Sequence, residues 1–409
     1  MTTALKKSKS LALDGGSPTR ATRLPYARQD LDESDIRAVV EVLRSDWLTT
    51  GPKVDEFEAA FARTVEARDA VAVSSGTAAL HAAIHAADVG RGDEVIVPAI
   101  TFVASANCVV YAGATPVFAD VDPGTLLMDP RDVECKITPR TRAILAVDYA
   151  GQPCDYGTLR DIANKHGLFL IADAAHSLGA RYKDRPVGSL ADLTTFSFHP
   201  VKHITTGEGG MVTCDDPHKA ASMRVFRNHG IDRHHRQREA PRSYGYQMVH
   251  LGFNYRLTDF QCALGLGQLR KLQSFVARRQ AIAAQYDAAF AELEEVRPLL
   301  RRPEVSHAYH LYVIRIDQSK LAADRAEICR ALEAEGIGVN VHYLPVYLHP
   351  FYQEQFHTNY GLCPIAEAAY EDLISIPMFH GMDDQDVCDV VSAVSSIVER
   401  YAISRGHRR

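Results

Sequence analysis

From Asp69 to Val212 the chain alternates short, almost wholly apolar runs with stretches of helical period. The runs Ala70–Val73, Glu94–Val97, Thr115–Val121, Arg142–Val147, Leu168–Ala172 and Leu193–Phe198 have the length and composition of buried strands. Between them, Thr77–Ala87, Phe102–Tyr111 and Tyr156–His166 read as helices. Apolar strands alternating with helices predict a mostly parallel sheet covered on both faces. Sites in such sheets form at the carboxyl ends of the strands.

The flanks read differently. Residues 1–22 are polar and carry Gly15, Gly16 and Pro18, as a flexible arm would. Asp30–Arg44 has a helical period, and Asp46–Glu58 joins a Thr-Thr-Gly-Pro turn to a new helix. Leu257 to about Leu293 predicts a long helix with a break near Ser274, and 223–250 gives no clear element. The segments Ala308–Ile316, Ala326–Glu335, Val339–Tyr343 and Asp383–Tyr401 read as a separate, smaller unit. The expected organisation is an arm (1–22), a large α/β domain (23–270) and a small C-terminal α+β domain (271–409).

Composition narrows the function classes. A chain of 409 residues, 46% hydrophobic and 23% charged, is long enough for two such domains. Its net charge of -6 gives no reason to expect nucleic-acid binding, and the basic residues at the two ends read as solvated tails. The eight cysteines show no CxxC pair and no ligand-like spacing with histidine, which predicts reduced thiols and no metal site. With neither a signal-peptide apolar core nor a run of about 18 apolar residues, the expectation is a soluble cytoplasmic protein with no membrane partner.

Three strand ends carry candidate chemistry. In VSSGTAAL (Val73–Leu80) a strand runs through Gly76 and Thr77 into a helix, whose amino end suits a phosphate; a simple Ser or Thr N-cap is the bland alternative. The stretch is neither a GxGxxG nor a Walker loop. In FLIADAAHSLGA (Phe169–Ala180) an apolar strand ends on Asp173, with His176 about one turn on. A carboxylate there needs a partner or caps the next helix, and metal binding by the pair lacks further ligands. In FSFHPVKHITTGEGGMV (Phe196–Val212) a strand is followed by Lys202, with Ser197 five residues earlier. Such a lysine is either an exposed turn residue or a desolvated amine able to condense with an aldehyde. One cofactor, pyridoxal 5'-phosphate, needs an amine, a carboxylate and a phosphate cradle together.

SSGTAAL, DEVIVPAITFVASAN, ADAAHSLGA, FSFHPVKHITTGEGG and LGFNYRLTDFQCALG together resemble the DegT/DnrJ/EryC1/StrS family of sugar aminotransferases, over about Leu24 to Tyr401. The resemblance implies a fold-type I, pyridoxal-phosphate-dependent transferase. It implies that Lys202 bonds the cofactor and shuttles the proton, that Asp173 pairs with the pyridine nitrogen, and that His176 meets the O3' region. Phe102 would stack on the ring, and Gly76, Thr77 and Ser197 would hold the phosphate. Asn254 would reach the phosphate of a neighbouring subunit, implying a homodimer with shared sites. Tyr26, the turn Asp46, Trp47, Leu48 and Thr49, and the segment His342, Tyr343, Leu344 and Pro345 match places where relatives meet the nucleotide sugar; packing alone is the other reading.

Within the family, GQPCD, HPVKHITTGEGG and VHYLPVY are most similar to the branch serving pseudaminic acid biosynthesis. That implies amino transfer, with L-glutamate as donor, to C4 of a UDP-linked 4-keto-6-deoxy-N-acetylhexosamine. GDP- and dTDP-linked 4-keto sugars stay open as substrates. Many relatives carry histidine where this chain has Asp148, which leaves the contacts around it open. Relatives with histidine in place of the lysine are dehydratases, and Lys202 argues against that chemistry. A non-enzymatic cofactor-binding regulator would need a DNA-binding module, for which the first 25 or so residues are too short.

Overall fold

The computed structural model describes residues 10–232 and 245–403. Five strands, β1 (Asp69–Val73), β2 (Glu94–Pro98), β3 (Thr115–Ala119), β4 (Thr141–Val147) and β5 (Phe169–Asp173), precede a small hairpin of β6 (Arg181–Tyr182) and β7 (Arg185–Pro186). Then come β8 (Leu193–Ser197) and β9 (Gly210–Cys214). The central sheet has the order β1-β9-β8-β5-β4-β2-β3. Only β9 runs antiparallel to its neighbours. The sheet is therefore the mostly parallel one expected from the apolar runs, and its strands are buried along nearly their whole length.

A second sheet joins β10 (Val296–Pro298), β12 (Tyr312–Ile316) and β13 (Leu373–Ile376), while β11 (Val305–Ser306) pairs with β6. The helix Asp259–Phe290 is 32 residues long and continuous. The break expected near Ser274 is absent: its hydroxyl donates to the Lys271 carbonyl 2.7 Å away within the helix. The helix buries Cys262, Leu269, Leu272 and Val276 in the large core, then Ile282, Tyr286 and Phe290 in the small one. A boundary at 270/271 thus falls inside one rigid element. Val339–Tyr343, read as part of the small unit's regular structure, is irregular and makes a single bridge, Asn340 to Ser375.

The polar stretch before residue 22 also differs from expectation. Residues 1–9 lie outside the described chain, but Leu11 is buried in the small core and Glu335 accepts from the Ala12 and Thr19 amides, both at 2.7 Å. Arg20 adds ion pairs to Asp386 and Asp389. Polar composition signalled an arm; what tethers it is the buried Glu335 carboxylate, 316 residues on from Thr19, together with the Arg20 ion pairs. Leu24 then bridges Ile337, and Tyr26 accepts from the Met378 amide at 2.9 Å.

Large and small units are joined again at Asp120, just after β3. Its carboxylate accepts from the Ile365 and Ala366 amides, both at 2.9 Å, which start the helix Pro364–Asp372. That helix has no cap of its own, so Asp120 caps it across the chain. Asp120→Ala should lower unfolding stability by about 1–2 kcal/mol, read as a reduced urea midpoint with an unchanged slope.

Candidate active site

The carboxyl ends of β1, β2, β5 and β8 face one cavity of about 710 Å³, closed from the other side by 340–344 and His310. Each edge is made by a local rule. Ser75, extended at φ -165°, turns its hydroxyl back to accept from the Ala78 amide at 3.0 Å and caps the helix Gly76–Ala86. Gly76 and Thr77 then line the cavity with the helix's amino end. A Cβ at Gly76 would come within 2.8 Å of Ser197, and one at Gly210 within 2.4 Å of the Ser75 carbonyl. These two glycines let the β1 turn lie flat on β8 and β9.

Asp173 ends β5 and is 6% exposed. The Ser105 hydroxyl donates to it at 2.7 Å and the Ala175 amide at 3.1 Å, and Ser105 is itself linked to Thr101 at 2.7 Å. Burial pushes the Asp173 carboxyl up, while Ser105, Ala175 and the charge of Lys202 pull it back. Sequence reading missed Ser105 and Thr101, although both sit in the stretch ITFVAS; hydroxyls spaced four apart at a helix start were the available signal.

Lys202 lies in a loop zipped at its base. Phe198 donates to the Gly209 carbonyl at 2.8 Å, and the Phe198 carbonyl accepts from the Thr206 amide and the Thr205 hydroxyl. The cavity opens onto Lys202, so the residue as a whole is only partly covered. Its amine nevertheless has a proton affinity lowered to about 8 by burial, with Asp173 opposing. His310 stands 3.4 Å from the amine. No sequence signal marked His310, because nothing in SHAYHLYVI says that this histidine, rather than His307, turns inward.

The expected residues divide into two groups. Tyr26, Gly76, Thr77, Phe102, Asp173, His176, Ser197, Lys202, His342, Tyr343 and Leu344 all line the cavity. His176 meets the Tyr343 hydroxyl at 3.4 Å, and the Phe102 ring lies 6.2 Å from the Tyr343 ring. Pro345, Asn254 and the Asp46–Thr49 turn are outside it. That turn is fastened instead to the start of the long helix, through Leu48 to the Asp259 amide and Gly51 to its carboxylate, which leaves Trp47 and Leu48 exposed. Asp148 is fully buried away from the cavity. It accepts from Ser177 at 2.6 Å, Tyr156 at 2.8 Å and the Cys154 amide at 2.9 Å, and burial pushes it up to about 6. It braces the turn that carries Asp173 and His176.

A lowered amine has a direct consequence. In the protein without added ligand, acylation of Lys202 by an amine-reactive ester should be half-maximal near pH 8, well below the ordinary lysine range. Peptide mass spectrometry across a pH series reads this, and reaction only in the ordinary lysine range would contradict it.

Comparison with known proteins agrees with this geometry. The Bacillus subtilis spore coat polysaccharide biosynthesis protein SpsC is 42% identical over 378 residues, covering 92% of this chain and 97% of that one. The Streptococcus pneumoniae protein Spr1654, assigned as a sugar aminotransferase and solved in a PMP form, superposes with a TM-score of 0.87 at 33% identity, covering 92% of this chain and 99% of its own. Helicobacter pylori PseC, an aminotransferase involved in the biosynthesis of pseudoaminic acid, superposes at 0.86 with 32% identity, covering 93% and 100%. These likenesses show the fold-type I architecture. The pattern of the DegT/DnrJ/EryC1/StrS aminotransferase family matches residues 29–395, and the chain belongs to that family.

Proposed function

We propose that this protein is a pyridoxal-phosphate-dependent aminotransferase that moves an amino group from L-glutamate to C4 of a UDP-linked 4-keto-6-deoxy-N-acetylhexosamine. The product would be UDP-4-amino-4,6-dideoxy-N-acetyl-β-L-altrosamine. The observation that carries the chemistry is the convergence of Lys202, Asp173 and the helix start at Gly76–Thr77 on one cavity. The residues fit the cofactor. Gly76 leaves a cradle beside Ser197 that a Cβ would fill, and the buried Nδ1 of His176 has no partner among the described residues.

Bound pyridoxal phosphate supplies the aldehyde that receives the amino group and a ring that takes up electrons from the reacting carbon. Gly76, Thr77 and Ser197 would hold its phosphate, Asp173 its ring nitrogen, and Phe102 and His176 its flanks. Ser105 and Ala175 keep the Asp173 carboxylate aimed while it carries charge in a buried place. The Lys202 amine, lowered by burial, takes the proton from the donor's Cα in one half of the reaction and delivers one to the sugar's C4 in the other.

PseC supports the pseudaminic acid branch. A second reading is a 4-aminotransferase for a GDP- or dTDP-linked 4-keto sugar, since the groups that would hold the cofactor serve either substrate; SpsC, the relative at 42% identity, is described only as a spore coat polysaccharide biosynthesis protein. We further propose a homodimer. Asn254, exposed and outside its own chain's cavity, would then serve the site of the other subunit.

Lys202→Ala should abolish turnover and the cofactor's covalent absorbance; an active variant overturns this assignment. Supplying UDP-, GDP- and dTDP-linked 4-keto-6-deoxy sugars with glutamate, and assigning the amine as axial or equatorial by NMR, decides between the two readings. Ser105→Ala should weaken cofactor binding roughly tenfold in a fluorescence titration, by removing a charge-assisted hydrogen bond to Asp173.

A further inference from the structure

Behind Lys202 lies a buried histidine, His310, that the chemistry above leaves unused. His310 is 3% exposed, and its Nε2 is 3.4 Å from the lysine amine. Its backbone is fixed from three directions. Arg279 donates to the Tyr309 carbonyl at 3.0 Å and the His310 carbonyl at 3.3 Å, and the Leu311 amide donates to Ala150 at 3.1 Å. A Cβ at Gly151 would come within 2.9 Å of the His310 nitrogen, so the Asp148–Gln152 turn packs directly on this segment. That turn also holds the other side of the site, since the Asp148 amide donates to the Asp173 carbonyl at 3.1 Å. The ring centroid of His176 is 4.2 Å from that of His310.

The ring's other nitrogen settles which atom carries the proton. His310 Nδ1 is buried and has no hydrogen-bond partner among the described residues. An N–H placed there would be an orphaned buried donor, which costs about 1–3 kcal/mol and is rarer in proteins than an idle acceptor. The proton therefore belongs on Nε2, facing Lys202. Burial first, then the charge of Lys202, with His176, His203 and Arg279 behind it, holds His310 well below the ordinary histidine range, so the ring is neutral. A neutral ring with Nε2–H can donate to an uncharged amine and cannot accept from an ammonium.

We propose that His310 is a positioning residue, which holds the unbonded amine of Lys202 through its Nε2–H and favours the uncharged form that reacts. The proposal rests on the reading of Lys202 as the working amine. The groups around that amine are Asp173, which favours its charge, and His176, His203, His310 and His342, all held neutral by burial. Among these only His310 touches it within hydrogen-bond reach in the described residues. Its loss removes a contact specific to the neutral amine, which a merely structural histidine would not supply.

The test uses the apo-protein, pyridoxal 5'-phosphate and borohydride, with the Lys202 adduct measured by mass spectrometry across pH. In His310→Leu, which keeps the site dry, half-maximal capture should move up by roughly one pH unit. His310→Gln, with an amide N–H in the same region, should return to within about 0.3 unit of the parent. An unchanged or lowered midpoint in His310→Leu, or a glutamine variant shifted as far as the leucine one, overturns the proposal. Should the leucine variant fail to fold, nitrogen NMR of the parent's His310 ring decides alone: protonation at Nε2 supports it and protonation at Nδ1 overturns it. Absence of any Lys202 adduct in the parent sinks the cofactor reading and this one together, whereas an adduct with an unmoved midpoint sinks only this one.

Discussion

A carboxylate and an amine sharing one buried cavity set the main constraint on this fold. Neither Asp173 nor Lys202 is stable in isolation away from water, and each lowers the cost of charging the other. That coupling requires β5 and β8 to be parallel neighbours, so that the end of one strand and the loop after the other open on the same side. The register Asp173 opposite Thr195 meets that requirement. Ser105, brought from the start of the helix that follows β2, completes the shell around the carboxylate.

The rest of the large unit follows from keeping that edge open but the sheet closed. Strands buried on both faces need helices on both, and the helix Gly76–Ala86 crosses β8 and β9 while presenting its amino end at the cavity. The reversed strand β9 lets the Lys202 loop return immediately beside β8, with Gly209 and Gly210 accepting the close approach of Thr206 and of the Ser75 turn. The small unit then supplies the far wall. It is steadied by the continuous helix through both cores, by Asp120 capping a distant helix, and by Glu335 tethering the chain that leads to Tyr26.

Much of this was legible in the order of residues. The strands were readable because a doubly buried strand has to be apolar at successive positions, and Tyr156–His166 because its apolar spacing and Gly167 stop are local. Lys202, Asp173 and the Gly76–Thr77 turn were legible as a set because one cofactor demands all three. The misses have a common cause. Whether the helix runs on past Ser274 depends on the two cores it packs into, and whether Val339–Tyr343 pairs or a polar segment such as Ser10–Thr22 is tethered depends on partners far along the chain. His310 and Ser105 were invisible for the same reason, since a histidine or serine acquires its role only from what the fold sets beside it.

The residues by themselves determined the class of sheet, the ends of its strands that bear chemistry, and the kind of cofactor those ends suit. Those features rest on local burial patterns and on side chains whose chemistry does not change with context. Only the tertiary structure decided that Asp148 braces a turn rather than facing the cavity, that the Trp47 turn and Asn254 lie outside that cavity, and that His310 reaches the lysine amine. The Asp148 outcome depends on strand order, and those of the Trp47 turn and His310 on contacts across more than 100 residues. Local sequence does not encode such distances; packing sets them.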